Sequence, residues 1–303
     1  MVTKERRFGR GLSGLCLGLL ISMQASAKPL PIFDVHTHYK WDQEEVTTPE
    51  QAIQMLDKAG VSHVVVIGTP ADNALKLKKL APDRVITFWS PYRFSGDKME
   101  WQFKKKSLEK AERDLATGQY QGIGELHLLG GFSAKWNKSP VMVKLLALGL
   151  KYDLPLMVHN EFSKNIPSIR LCRANPDNRF LFAHAGAILD PDEVAEILES
   201  CPNVIMDLAA RDPWRYVSHP ITNDDGRLLP DWEALITKYD DRFVIGSDTV
   251  WPVDRHSMWD EPDSGWQELP RFINFHRRWL SFLPESSQEK LATQNAERFF
   301  RIH

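Results

Sequence analysis

The sequence predicts an α/β protein folded as a (β/α)8 barrel. Three observations carry that prediction. Eight short, β-branched apolar runs alternate with helical stretches along a chain of 303 residues. No low-complexity linker or composition shift divides the chain, and α/β barrels of about 250 residues are commonly one domain. The competing open, doubly wound sheet normally carries a Gly-rich phosphate turn after an early strand, and the sequence has none.

The N-terminus stands apart from this pattern. Lys4, Arg6, Arg7 and Arg10 precede an apolar run over 12–23 that is too short to span a membrane comfortably. Ala25, Ser26 and Ala27 then supply the small residues of a signal-peptidase site. Residues 1–27 are therefore expected to be a cleaved signal peptide. The mature chain is expected to be a single domain over 28–303, periplasmic or secreted from a bacterium, with no stable membrane anchor after cleavage. Cleavage removes Cys16 and leaves Cys172 and Cys201 on neighbouring outer helices. An oxidising compartment permits a disulfide between them, and two buried free thiols fit the sequence equally well.

The elements follow in order. The strand over 31–38 ends in two histidines, and strict alternation would turn Asp34, His36 and His38 to one face. Thr48-Pro49-Glu50 opens a helix with a capping hydroxyl, proline at its first position and an acid in its first turn. That helix ends near Gly60. Strands follow at 63–68, 84–90, 121–127, 154–159, 179–184, 203–208 and 242–248. Their continuous apolar character suits parallel strands covered on both faces. Helices are expected at 71–80, 99–117, 141–152, 166–174, 190–200 and 231–238, with two more near 266–282 and 286–300.

Parallel strands in a barrel end at one mouth, where the chemistry belongs. His36 and His38 end the first strand, Glu125 lies in the fourth, His159 ends the fifth, His184 the sixth and Asp248 the eighth. Each alone reads as an ordinary hydrogen-bonded or capping residue. Four histidines and two acids at the same ends of alternating strands point to a divalent metal, with neutral imidazole nitrogen and carboxylate oxygen as ligands. Asp207 and His127 lie nearby with structural or supporting roles equally open. The net charge of −2, without a long basic run, gives no reason to expect nucleic acid as a partner. A small-molecule substrate is expected, and the sequence leaves self-association open. Loops bearing Trp136, Arg211, Trp214, Arg215, Trp251 and Arg255 fall near the predicted mouth. Arginines with aromatics there suit a carboxylate- or phosphate-bearing molecule. Loops simply packed on one another suit the pattern as well.

The ordered motifs Asp34-Val-His-Thr-His38, Gly122-Ile-Gly-Glu125, Met157-Val-His159, Phe182-Ala-His-Ala-Gly186, Gly246-Ser-Asp248 and Asn295-Ala-Glu-Arg298 resemble the amidohydrolase superfamily, closest to its amidohydrolase-related branch. The resemblance covers nearly the whole mature chain. It implies a distorted TIM barrel holding one or two divalent ions, usually zinc. It also implies that His36, His38 and Asp248 bind the first ion, with His159 and His184 as the fifth- and sixth-strand ligands. Many binuclear members carry a carboxylated lysine where this chain has Glu125; others, including TatD-type deoxyribonucleases, carry a glutamate. Glu125 then bridges two ions, with His159 and His184 on the second. In the other arrangement, one ion sits on His36, His38, His159 and Asp248, and His184 is free as an electrophile.

The activity so implied is hydrolysis of an amide, lactone or ester bond, with Asp248 as proton acceptor and His184 beside the carbonyl. A non-oxidative decarboxylase of the same superfamily is the alternative. A periplasmic ligand-binding protein without turnover is the alternative from another class.

Overall fold

The computed structural model describes residues 29–94, 97–98, 100–129, 136–161, 164–215, 219–250 and 265–302. The expected signal peptide, Trp251 and Arg255 lie outside the described residues. Eight parallel strands form one sheet in chain order. They are β1 (Ile32–Lys40), β2 (Val61–Thr69), β3 (Val85–Trp89), β4 (Gly122–Leu129), β5 (Leu156–Glu161), β6 (Phe180–Phe182), β7 (Val204–Asp207) and β8 (Phe243–Val244). Backbone hydrogen bonds bring β1 back against the segment after β8: Val35 N–H donates to Ile245 O at 2.9 Å, and Asp248 N–H to His36 O at 2.7 Å. The fold is a (β/α)8 barrel.

Helices α1 (Pro49–Ala59), α2 (Asn73–Leu80), α3 (Lys105–Leu115), α4 (Pro140–Tyr152), α5 (Ile166–Ala174), α6 (Pro191–Ser200), α7 (Pro230–Lys238) and α8 (Leu269–Leu280) alternate with or follow the strands. Their starts obey the local chemistry. Thr48 and Gln51 form a reciprocal capping box on α1, which stops at left-handed Gly60. Ser139 caps α4, and Asp190 caps α6. The long helix expected over 99–117 is shorter: a single turn at Trp101–Phe103 precedes α3, and Lys104 between them is extended. That turn buries Trp101, whose indole donates to His127 O at 3.2 Å.

The core has two layers. The larger lies between barrel and helices. The smaller fills the barrel with Phe33, Val35, Val65, Phe88, Met157 and Leu181, among others. Burying each such side chain contributes about 1.5–3 kcal/mol. The chain's end closes the floor of this inner layer. Phe300 stacks on Phe33 at 5.6 Å and meets Phe88 edge-on at 5.9 Å. The final helical stretch runs through α9 (Glu285–Glu289), a π segment (Lys290–Gln294) and α10 (Asn295–Phe300). Asn295 ties it to the barrel, donating to Asp240 O at 2.7 Å and Phe243 O at 2.8 Å. This is the structural work of the Asn-Ala-Glu-Arg motif.

Strict alternation fails in β1. Phe33 and Val35 face the inner apolar layer, yet His36 and His38 also face inward, above it. The pairing explains this. Asp34 lies opposite Val64 and Thr37 opposite Val66, so β1 gains one residue on β2. Asp34 consequently does not share the histidines' face; one of its oxygens accepts from the His36 and Ser247 amides at 3.1 and 2.9 Å. β4 gains a residue in the same way, with Ile123 opposite Leu156 and Leu126 opposite Val158. Gly124 sits in that irregularity at φ +145°, and a Cβ there would lie 2.6 Å from Met157 O. Only glycine fits. The two strands that carry His36, His38 and Glu125 are thus both re-aimed by an inserted residue.

Cys172 and Cys201 form a disulfide, with Cα atoms 5.9 Å apart. It links α5 to the end of α6 and resolves the choice between a bridge and free thiols. No helix among the described residues is long and apolar enough to cross a membrane.

Candidate metal centre

The structure brings all six expected donors together above the inner apolar layer. His36 Nε2 lies 3.1 Å from His38 Nε2, 3.7 Å from Glu125 Oε1 and 3.9 Å from Asp248 Oδ1. His38 Nε2 lies 3.4 Å from Glu125 Oε2 and 3.5 Å from Asp248 Oδ1. Two ligands held at about 2.1 Å by a tetrahedral cation are themselves about 3.4 Å apart. The spacing therefore fits one ion among His36, His38 and Asp248, with Glu125 beside the two histidines. Asp248 Oδ1 is buried and has no hydrogen-bond partner among the described residues. An orphaned buried carboxylate oxygen is costly, and a cation is the partner that such an atom calls for.

Glu125 is the centre of the cluster. Its carboxylate also lies 2.6 Å from His159 Nδ1, 3.6 Å from His184 Nε2 and 3.3 Å from His127 Nε2. Burial alone would raise its pKa, but His159 foremost holds it well below the usual carboxylate range. Burial likewise opposes ionisation of Asp248, and His36, His184 and His38 outweigh it. Both acids are therefore held as anions.

Surrounding groups set which nitrogen each imidazole offers. Asp207 Oδ2 accepts from His36 Nδ1 at 3.1 Å, which leaves His36 Nε2 facing the acids. The other oxygen of Asp207 accepts the amides of His184 and Ala209 at 2.9 and 3.0 Å. Asp207 thus orients both His36 and the backbone at His184. Burial would lower the His36 pKa, but Asp207 and Glu125 raise it well above the ordinary imidazole value. The acids around His36 thus favour positive charge at this point. His184 Nδ1 donates to Ala209 O at 3.0 Å, so Nε2 presents its lone pair.

His184 does not end β6, as expected from sequence. It lies in the turn Ala183–Gly186 after the strand, at φ +56°, followed by Ala185 at +46°. Side-chain-bearing residues rarely adopt that region, so the turn needs outside support. Arg211 supplies it. Its guanidinium donates to the carbonyl oxygens of His184 (2.7 Å), Ala185 (2.9 Å), Leu189 (3.1 Å) and His219 (3.0 Å). It is fully buried and packs on Trp232 at 4.8 Å. The expectation that Arg211 meets substrate is therefore corrected: its donors are spent on the backbone.

Arg215 is held by backbone carbonyls and by Asp212, its Nη2 paired with Asp212 Oδ2 at 2.5 Å. It donates to Ser247 O and Asp248 O, each at 2.6 Å, and to Asp212 Oδ2 at 2.7 Å, with its guanidinium 4.0 Å from the Phe272 ring centre. It fixes the backbone that carries Asp248. Trp214 is half-buried and lines a groove with Pro213, Asn223, Arg271, Phe275 and Arg278; none of the six donors lines that groove. Trp136 packs against the outer core. Sequence reasoning missed three supporting groups. Tyr92 accepts the His127 amide at 2.8 Å, Thr249 accepts the His38 amide at 3.3 Å, and Trp266 donates to His38 O at 2.8 Å. Nothing in the local pattern marks them, because each acts on a residue far away in the sequence.

Comparisons with known proteins agree with this geometry. The sequence matches the amidohydrolase family over residues 33–302. Similar solved structures include a zinc-bound amidohydrolase from Burkholderia multivorans, at 14% identity and TM-score 0.54, covering 90% of this chain and 99% of that one. A TatD homolog from Escherichia coli K12 aligns at 15% identity and TM-score 0.62, over 90% of this chain and 98% of that one. At these identities the likeness is one of fold. No curated protein sequence matches the chain at a significant level.

Proposed function

The chain belongs to the amidohydrolase family, and from that premise we propose that it is a metal-dependent hydrolase of a small molecule, cleaving an amide, lactone or ester bond. One observation carries the reading: ligand atoms of His36, His38 and Asp248 lie within 4.8 Å of one another, with the Glu125 carboxylate beside both histidines and Asp248 Oδ1 without a hydrogen-bond partner among the described residues. Zinc is the proposed ion; imidazole with carboxylate suits it, and the Burkholderia neighbour holds zinc. When bound, such an ion supplies hydroxide at neutral pH by lowering the pKa of water to about 7.

The protein groups divide the remaining work. Asp248 accepts a proton from the attacking water and delivers it to the leaving group. His36 is held by Asp207 with Nε2 facing the acids. His184 presents Nε2 as an acceptor while Ala209 holds Nδ1–H, so it polarises a carbonyl only when it carries a second proton. The apolar layer below excludes water from that side of the site.

A screen of lactones, amides and esters with the zinc-loaded protein in labelled water tests this reading. Hydrolysis places one solvent oxygen in the product. Release of CO2 without solvent oxygen in the product would overturn hydrolysis and leave the decarboxylase alternative. Ligand recovered unchanged across the screen would speak for a binding protein.

We also propose export. The charged, apolar and small-residue order of residues 1–27 supports it, as does the Cys172–Cys201 disulfide, a bond rare in reducing compartments. Sequencing the N-terminus of protein secreted from a bacterial host should read Lys28 first; an intact N-terminus in the cytoplasmic fraction would overturn the assignment.

A further inference from the structure

We propose that His127 is a metal ligand: with Glu125 and His159 it holds a second divalent cation beside the one on His36, His38 and Asp248. The proposal rests on the metal-dependent reading above and extends it to a residue that reading leaves unused. Potential ligand atoms of Glu125, His127 and His159 all lie within 4.8 Å of one another, and all three residues are buried. His127 is 6% exposed, and its Nε2 has no hydrogen-bond partner among the described residues. That nitrogen lies 3.3 Å from Glu125 Oε2, close to the separation of about 3.4 Å for two atoms sharing a tetrahedral ion. A buried imidazole nitrogen without a hydrogen-bond partner is costly, and a ligand role recovers that cost.

The ring is held in place rather than fallen there. Tyr92 accepts its backbone amide at 2.8 Å, and Trp101 donates to its carbonyl at 3.2 Å. The ring stacks on His159 at 4.6 Å and meets Tyr92 edge-on at 5.6 Å. The inserted residue in β4 turns Glu125 and His127 to the same cluster. Glu125 reaches both groups of donors: one oxygen lies 3.4 Å from His38 Nε2, the other 2.6 Å from His159 Nδ1. It would contact both ions if both are held.

The test counts ions on the full mature protein, without reference to turnover. Zinc-loaded, dialysed wild type should contain two zinc ions per chain by elemental analysis, and His127→Gln should contain one. A wild type holding one ion or none, or a His127→Gln protein still holding two, overturns the proposal. If His127→Gln does not fold, zinc anomalous scattering from wild-type crystals decides. A peak at about 2.0–2.1 Å from Nε2 supports it, and no peak there overturns it. One ion on the His36 side would end this inference and leave hydrolysis standing, since the labelled-water experiment tests that separately.

Discussion

Asp248→Asn should keep its metal and lose turnover by about 10²–10⁴-fold, the usual contribution of a positioned acid–base group. The backbone at this position is pinned from both sides. Its amide donates to His36 O at 2.7 Å, and its carbonyl accepts from Arg215 at 2.6 Å. The residue lies at φ +50°, a region that asparagine tolerates at least as well as aspartate. The substitution therefore exchanges one side-chain atom and leaves the frame in place. Asparagine retains an oxygen at the position that faces His36 and His38, so it still ligates. What it lacks is the capacity to take a proton. Metal content by elemental analysis and kcat on any substrate the wild type turns over are the two readings. Full activity would remove Asp248 from proton transfer. Loss of metal together with activity would make it a ligand only.

The second large effect concerns stability. Arg211→Met should destabilise the fold by about 3–5 kcal/mol, within the range for breaking a buried polar network. Four carbonyl oxygens lose this donor, those of His184, Ala185, Leu189 and His219; His184 O keeps the Ala187 amide at 3.0 Å, and His219 is exposed. Each buried acceptor left unpaired costs about 1–3 kcal/mol. Removing a desolvated cation returns part of that sum. At roughly 2–4 °C per kcal/mol for a domain of this class, the thermal midpoint should fall by about 6–20 °C. A midpoint within about 2 °C of wild type would show that the turn at His184 stands without the guanidinium.

Much of the barrel was legible because parallel strands buried on both faces must be continuous apolar runs, and Val64, Val65, Val66 and Ile67 are such a run. The donor set was legible for a related reason. Parallel strands share one mouth, so His36, Glu125, His159 and Asp248 fall together once strand order is known. The inserted residues in β1 and β4 were not legible. Periodicity assigns faces from a constant step of two, and a bulge changes that step without changing composition. The arginines were misread because type and loop position do not say whether a guanidinium meets solvent or backbone. Arg211 looks like a substrate clamp in the sequence and is spent on carbonyls in the fold. Strand ends were overestimated at β6 and β8, where His184 and Asp248 sit in positive-φ backbone just beyond the ladder.

Arg211 and Arg215 arise from one short segment, yet they secure the backbone of residues on opposite flanks of it, His184 after β6 and Asp248 after β8. Loop grafting meets a constraint here. Rim segments of a barrel are the usual place to retool what an enzyme accepts, because the scaffold below tolerates their exchange. This one is a brace for its neighbours. A library built for new substrates should hold positions 211 and 215 constant and place its diversity elsewhere on the rim.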